Sequence, residues 1–241
     1  SPQRWPRGVG RPGHPVNAIL AWLSAGTSWA GPDGIWARVG EHLVLSTLTV
    51  AIAAAIAIPL GLWVGHTGHA RFLVVNAVNG FRALPTLGLL DAAILIVSPH
   101  LPGSIAFQVP AILVLVVLAA PPLLAGAYAG VDAVDAATRD AAQGMGMRGA
   151  QVLWRVEVPC AMPLIWAGLR SAFLQVVATA TVAATVGIGG LGRFLIDGLA
   201  VADYGQMGGG AVLVAALAIS LDVVLSVLGR RLISPGLSGH R

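Results

Sequence analysis

At 241 residues, the chain is 56% hydrophobic and only 10% charged, with a mean hydropathy of +0.83. Soluble domains are about a quarter charged, so a compact soluble fold of this length is excluded and a bilayer is the expected solvent. The net charge is +4 with a pI near 10.5, but all fourteen basic residues are Arg dispersed between apolar runs, which reads as positively charged membrane loops rather than a nucleic-acid surface.

The chain starts at Ser1 without an initiator Met, as expected of a trimmed or missing start. Residues 1–15 are rich in Arg, Gly and Pro and lead into no long apolar core, so they do not read as a cleavable signal peptide. Val16 to Ala30 is apolar but too short to cross a bilayer. With Trp22 and Trp29 it is expected to be an interfacial helix within an N-terminal segment, 1–42.

About 20 helical residues span about 30 Å of hydrocarbon, and five stretches approach that length between residues 43 and 232. Leu43 to Gly65 carries no charge. Phe72 to Val97 is interrupted by Arg82, Pro85 and Asp91. Ser104 to Ala129 is uncharged, with Pro121 and Pro122 near its end. Met162 to Val186 carries Arg170, and Gly208 to Leu228 carries Asp222. The expected class is an all-α, polytopic membrane protein with a polar tail at 233–241.

Five spans place Arg71, the segment 131–161 with Arg139, Arg148 and Arg155, and the tail with Arg230, Arg231 and Arg241 on one side. The positive-inside rule makes that side cytoplasmic. The N-terminus then lies outside, against the sense of Arg4, Arg7, Arg11 and Arg38; a sixth, short N-terminal span would remove the conflict. No repeat of fixed period relates the two halves, which weakens a secondary-transporter reading.

Ionisable groups at bilayer depth need a partner or a polar cavity. Arg170 and Asp222 both lie roughly 10 Å from the cytoplasmic ends of their spans and are expected to face each other. Their pairing is expected chiefly to lock helices. Arg82 precedes Pro85 by three residues. The proline frees a backbone carbonyl that Arg82 is placed to bond, and broken helices of this kind line cavities. Arg82, Pro85 and Thr86 are therefore candidate pathway residues, with helix bending as the structural alternative. Asp91 is expected near the outer surface. Gly187, Gly189, Gly190 and Gly192 break the chain after the fourth span, as a plain turn or a gate loop.

No catalytic residue is expected. Gly236-Leu237-Ser238-Gly239 matches a short intramembrane-protease motif but lies in the polar tail, with no His at membrane depth to act as base. No metal site is expected either: His66 and His69 lack a third ligand and read as a headgroup-level loop. Cys160 is alone, so no intrachain disulfide forms.

The loop 131–159 reads VDAVDAATRDAAQGMGMRGAQVLWRVEVP and is long for a connection between spans. Asp132 and Asp135 are placed to open a helix, Ala133, Ala137 and Ala141 give it a smooth face, and Gly144, Gly146 and Gly149 supply a turn. A second helical stretch, Gln151 to Val158, is expected to end at Pro159. Asp140-Ala141-Ala142, three residues, Gly146, nine residues, then Val156-Glu157-Val158-Pro159 resembles the EAA loop of binding-protein-dependent ABC importer permeases. Asp stands here for Glu, and Val for both Ile and Leu, of the Glu-Ala-Ala…Gly…Ile-x-Leu-Pro pattern. The similarity extends from about His42 to Leu232. NGFRALPTLGLL, PPLLAGAYAGV and GIGGLGRFLIDGL, in that order, look like the branch that carries glycine betaine, choline, carnitine or proline.

The resemblance implies a type I ABC importer permease core of about five transmembrane helices in the bacterial inner membrane, with residues 43–232 as the permease domain. Asp140, Ala141, Ala142, Gly146, Val156 and Pro159 would belong to a coupling helix and its elbow, docked on an ATPase subunit. The chain has no Lys and so no Walker A loop; ATP and Mg would bind the partner ATPase. A second permease, either the same chain or a paralogue, and an extracytoplasmic substrate-binding protein complete the implied set. Cargo such as methionine or taurine is the near alternative. An ion-coupled secondary transporter is the more distant one.

Overall fold

The computed structural model describes residues 15–72, Asn76, Gly80 and 85–232. Its helices are α1 (Pro15–Ser24), α2 (Ile35–Thr67), α3 (Thr86–Val97), α4 (Ile105–Asp132), α5 (Ala136–Gly144), α6 (Gly149–Val152), α7 (Val158–Thr179), α8 (Gly192–Ala200) and α9 (Tyr204–Leu232). Four helical stretches among the described residues are long and apolar enough to cross a membrane: α2, α4, the run Gly149–Thr179 and α9.

Small residues decide how these helices meet. In the middle of the bundle, Val50, Ala53 and Ala57 of α2 pack with Ala119 and Leu123 of α4 and with Ala172 and Val176 of α7. Nearer the end of the bundle that carries the loop 131–159, called the inner end, Leu62 packs with Ala127, Val131, Ala161 and Ile165. Rising numbers in α2 match rising numbers in α4, so these two helices run parallel; falling numbers in α7 make it antiparallel to both. The expected second span, 72–97, falls partly outside the described residues; α3, within it, is about 18 Å long. α9 runs antiparallel to α7: Trp166 Nε1 donates to the Leu225 carbonyl at 2.9 Å, and Arg170, one turn on, meets Asp222, one turn back.

At the α4–α7 crossing the backbones themselves touch. A Cβ placed on Gly126 would stand 2.7 Å from the Leu164 carbonyl oxygen, and one on Gly168 2.6 Å from that of Pro122. Close approach through small residues is how helices associate in lipid, where no hydrophobic drive separates one apolar partner from another.

Several expected boundaries move. The first span begins at Ile35 rather than Leu43, because Arg38 and Glu41 neutralise each other along the helix at 2.8 Å and Arg38 also reaches Asp33 at 2.5 Å. This pairing accounts for Arg38 at the outer end. Arg4, Arg7 and Arg11 lie outside the described residues. The N-terminal helix ends at Ser24, before a 3₁₀ turn at Gly26–Ser28. As described, α1 is about 15 Å long, short of a span by itself. It lies against the N-terminal end of α9, where Ile19 faces Gly208, and Trp22 packs edge-on to Phe194 at 5.1 Å.

The fourth span, expected at 162–186, instead ends at Thr179, and Val182–Val186 form a 3₁₀ turn. Thr179 and Thr181 bond back to the carbonyls of Gln175 and Ala178 at 2.8 and 2.7 Å, and Gly187 at φ +81° closes the turn. Such side-chain bonds compete with continued helix. At its other end the helix does not stop at Pro159. Leu153–Glu157 form a π turn, and Pro159 falls in the first turn of α7, where a missing N–H costs nothing.

Candidate functional site: the coupling elbow and the charges behind it

The inner end of the bundle gathers the C-termini of α2, α4 and α9 and the N-terminus of α7. Arg71 pairs with Asp132 at 3.4 Å there. Asp132 closes α4, so only Asp135 opens α5, its carboxylate accepting from Ala137 N–H at 3.2 Å. That acceptor satisfies an otherwise free helix N–H. Ala133 likewise belongs to the end of α4 rather than to the elbow helix.

α5 ends in a left-handed cap. Gly146 has φ +84°; its N–H donates to the Gln143 carbonyl at 2.8 Å and that of Met147 to the Ala142 carbonyl at 3.2 Å. This 5→2 and 6→1 pair is a Schellman motif, which glycine serves without a Cβ penalty. Within Asp140-Ala141-Ala142, Ala142 is buried against the bundle, whereas Asp140 and Ala141 are exposed. Met145 and Trp154 are also exposed. The elbow therefore offers a largely small, partly apolar outer face. Val156 is half-buried in the π turn that joins it to α7, and Pro159 is exposed.

One charged cluster there escapes a reading of the sequence. Glu157 is 1% exposed. His66 Nδ1 lies 2.6 Å from its Oε2, and Arg139 Nε lies 2.8 Å from its Oε1. Arg139 also donates to the Val131 carbonyl. His66 is thus part of the last turn of α2 and faces a carboxylate, not a headgroup-level loop. The available signal is Glu157 itself, a carboxylate between two valines, since a buried acid is rare unless paired.

Within the membrane layer, Arg170 Nε and Nη2 donate to Asp222 Oδ1 and Oδ2 at 2.5 and 2.6 Å. The fork joins α7 to α9 one turn from the Trp166 bond. The side chains are 39% and 33% exposed in the isolated chain, so in lipid each depends on the other. Arg170→Leu and Asp222→Leu are each expected to lower the yield of folded permease, and the double variant to recover most of it, because removing both charges leaves none stranded. Detergent-extracted yield by size exclusion checks this; a double variant worse than either single one would contradict it.

Of the candidate pathway residues, Pro85 and Thr86 lie among the described residues. Arg82 lies outside the described residues. Pro85 is the N-cap of α3, which starts at Thr86, so the proline begins a helix rather than bending one. Thr86 borders an apolar nook with Leu90, Ala111, Leu115 and Ala183. Asp91 is exposed on α3. At the outer end, the glycine segment packs on the start of α2: Gly190 N–H donates to Glu41 Oε2 at 2.7 Å, and a Cβ on Gly190 would meet His42 Nδ1 at 3.0 Å. A Cβ on Gly192 would strike the Thr181 carbonyl. Gly187 and Gly190 both have positive φ. Gly190 and Gly192 are thus held by close approach, whereas Gly187 serves the turn alone, with open space around it.

Comparison with known proteins gives one consistent outcome. The family described as "Binding-protein-dependent transport system inner membrane component" matches residues 57–239. The glycine betaine/carnitine/choline transport system permease protein OpuCB of Bacillus subtilis is 33% identical over 204 residues, covering 85% of this chain and 91% of that one. The choline transport system permease protein OpuBB of the same organism is 32% identical, covering 82% and 88%. Among solved structures, an inward-facing form of the MetNI methionine ABC transporter superposes with a TM-score of 0.68 at 23% identity, over 80% of this chain and 94% of that chain. At that identity the likeness speaks for the fold, which is that of a type I ABC importer permease. The chain belongs to the family of binding-protein-dependent transport system inner membrane components and is a multi-pass membrane protein.

Proposed function

We propose that this chain is the permease subunit of an ABC importer that moves osmoprotectants, such as glycine betaine, choline, carnitine or proline, across a bacterial inner membrane. The observation that carries the cargo class is the 33% identity to a glycine betaine/carnitine/choline permease along 85% of the chain. The elbow supports the mode of coupling: an exposed helix with a glycine cap at the inner end of the bundle, presenting Asp140, Ala141, Met145 and Trp154 to a partner.

In this reading the chain does no chemistry. Separate ATPase subunits bind ATP and Mg and seat the elbow; a second permease subunit completes the pore; a substrate-binding protein delivers the solute from outside. Closure of the ATPases pushes on residues 132–158 and turns the pore outward, and hydrolysis returns it. The test is uptake of labelled betaine, choline, carnitine, proline, methionine and taurine by the full complex in vesicles. ATP-dependent uptake of one or more of the first four is expected. Preference for methionine or taurine would overturn the cargo assignment, and uptake without an ATPase would overturn the mechanism.

A further inference from the structure

The mechanism above makes no use of Glu157, the buried carboxylate within Val156-Glu157-Val158-Pro159. It closes the π turn ahead of α7. Through His66 it holds the last turn of α2; through Arg139 it holds α5, and Arg139 in turn holds the end of α4 at the Val131 carbonyl. A buried carboxylate is tolerated only while its cationic and hydrogen-bonding partners stay in place. The four elements it joins are therefore penalised for separating.

The elbow has few other ties. Ala142 is the buried residue of α5 and Val152 that of α6. Between α6 and α7 stands the five-residue π turn, a wider winding that recurs where helices carry function. A push on α5 could be absorbed by unwinding or swivelling there, unless the turn is pinned. We infer that Glu157 is a positioning residue whose contacts with His66 and Arg139 make the elbow and the inner ends of α2, α4 and α7 move as one lever. This rests on the importer reading above.

Two variants test it in the assembled complex. Glu157→Gln keeps the size and one acceptor oxygen but removes the charge; Arg139→Gln leaves the His66 contact intact. In both, hydrolysis is expected to persist while solute imported per ATP falls about fivefold or more, the range of an ordinary coupling energy. A ratio equal to wild type in both variants, or equal losses of hydrolysis and uptake in both, would overturn the assignment. A second readout needs no transport. With spin labels at Thr67→Cys and Thr138→Cys in a Cys160→Ser background, the intrasubunit distance is expected to be narrow in the parent and broad with Glu157→Gln. An unchanged width would overturn the lever. Absence of ATP-driven uptake by the parent would overturn only the importer reading, because the spin distances report on the lever by themselves.

Discussion

Gly168→Leu is expected to abolish accumulation of folded permease. Gly168 faces Gly126 where α4 crosses α7, and a Cβ there would stand 2.6 Å from the Pro122 carbonyl oxygen and 3.2 Å from the Gly126 Cα. Those are backbone atoms, which cannot rotate aside as a side chain can. The nearby crossing at Gly130 is as close, with Ala161 Cβ 2.8 Å from the would-be Cβ, so the helices cannot tilt away without opening the core around Ala127, Val131 and Ile165. Overpacking a well-filled core costs about 1–3 kcal/mol where side chains can adjust, and a contact with backbone lies at or above the top of that range. Gly168→Ala is expected to lower the thermal midpoint, and Gly168→Leu to leave no monodisperse protein on size exclusion. Gly40→Leu on α2 is the control: a Cβ there meets nothing within 4 Å, and normal yield is expected.

Ala141→Arg and Gly146→Val are expected to bring uptake down to background while the protein remains folded in the membrane. Ala141 is exposed on α5, so the larger side chain meets no neighbour in this chain and acts only on a docked partner. A misfit costing about 3 kcal/mol at such an interface lowers its occupancy of order a hundredfold. Gly146 acts differently. Its φ of +84° closes the Schellman cap, and a β-branched residue in the left-handed region costs about 1–2 kcal/mol. The chain would escape that strain by re-aiming α6 against α5, so the elbow would point wrongly while the bundle stayed intact. Uptake and extracted yield, measured together, check both variants. Normal uptake in both would contradict a docking role for the elbow.

The membrane-spanning stretches are legible in the sequence because apolar runs near 20 residues have few other fates. The depth of Arg170 and Asp222 is legible for a related reason: a charge inside such a run demands a counterpart, and equal distances from one surface pick it out. The elbow is legible because its small residues and glycines sit at fixed spacing. What stays hidden is set by contacts distant in sequence. His66 and Glu157 are 91 residues apart, and neither residue type alone marks a buried pair. Gly126 and Gly168 stand among 31 glycines, and only the crossing shows which of them must lack a side chain. Pro159 reads locally as a stop, yet the π turn before it places it in a first helical turn. Thr179 and Thr181 end α7 through bonds to the carbonyls of Gln175 and Ala178, a competition that hydropathy does not register.

The most direct measurement is a cross-link from the elbow. A cysteine at Ala141, in a Cys160→Ser background, carries a short bifunctional reagent in membranes that contain the whole complex. Covalent capture of the ATPase subunit, sensitive to nucleotide, is the predicted result. Labelling of that cysteine only from the cell exterior, or no capture in a complex that imports solute normally, would contradict it.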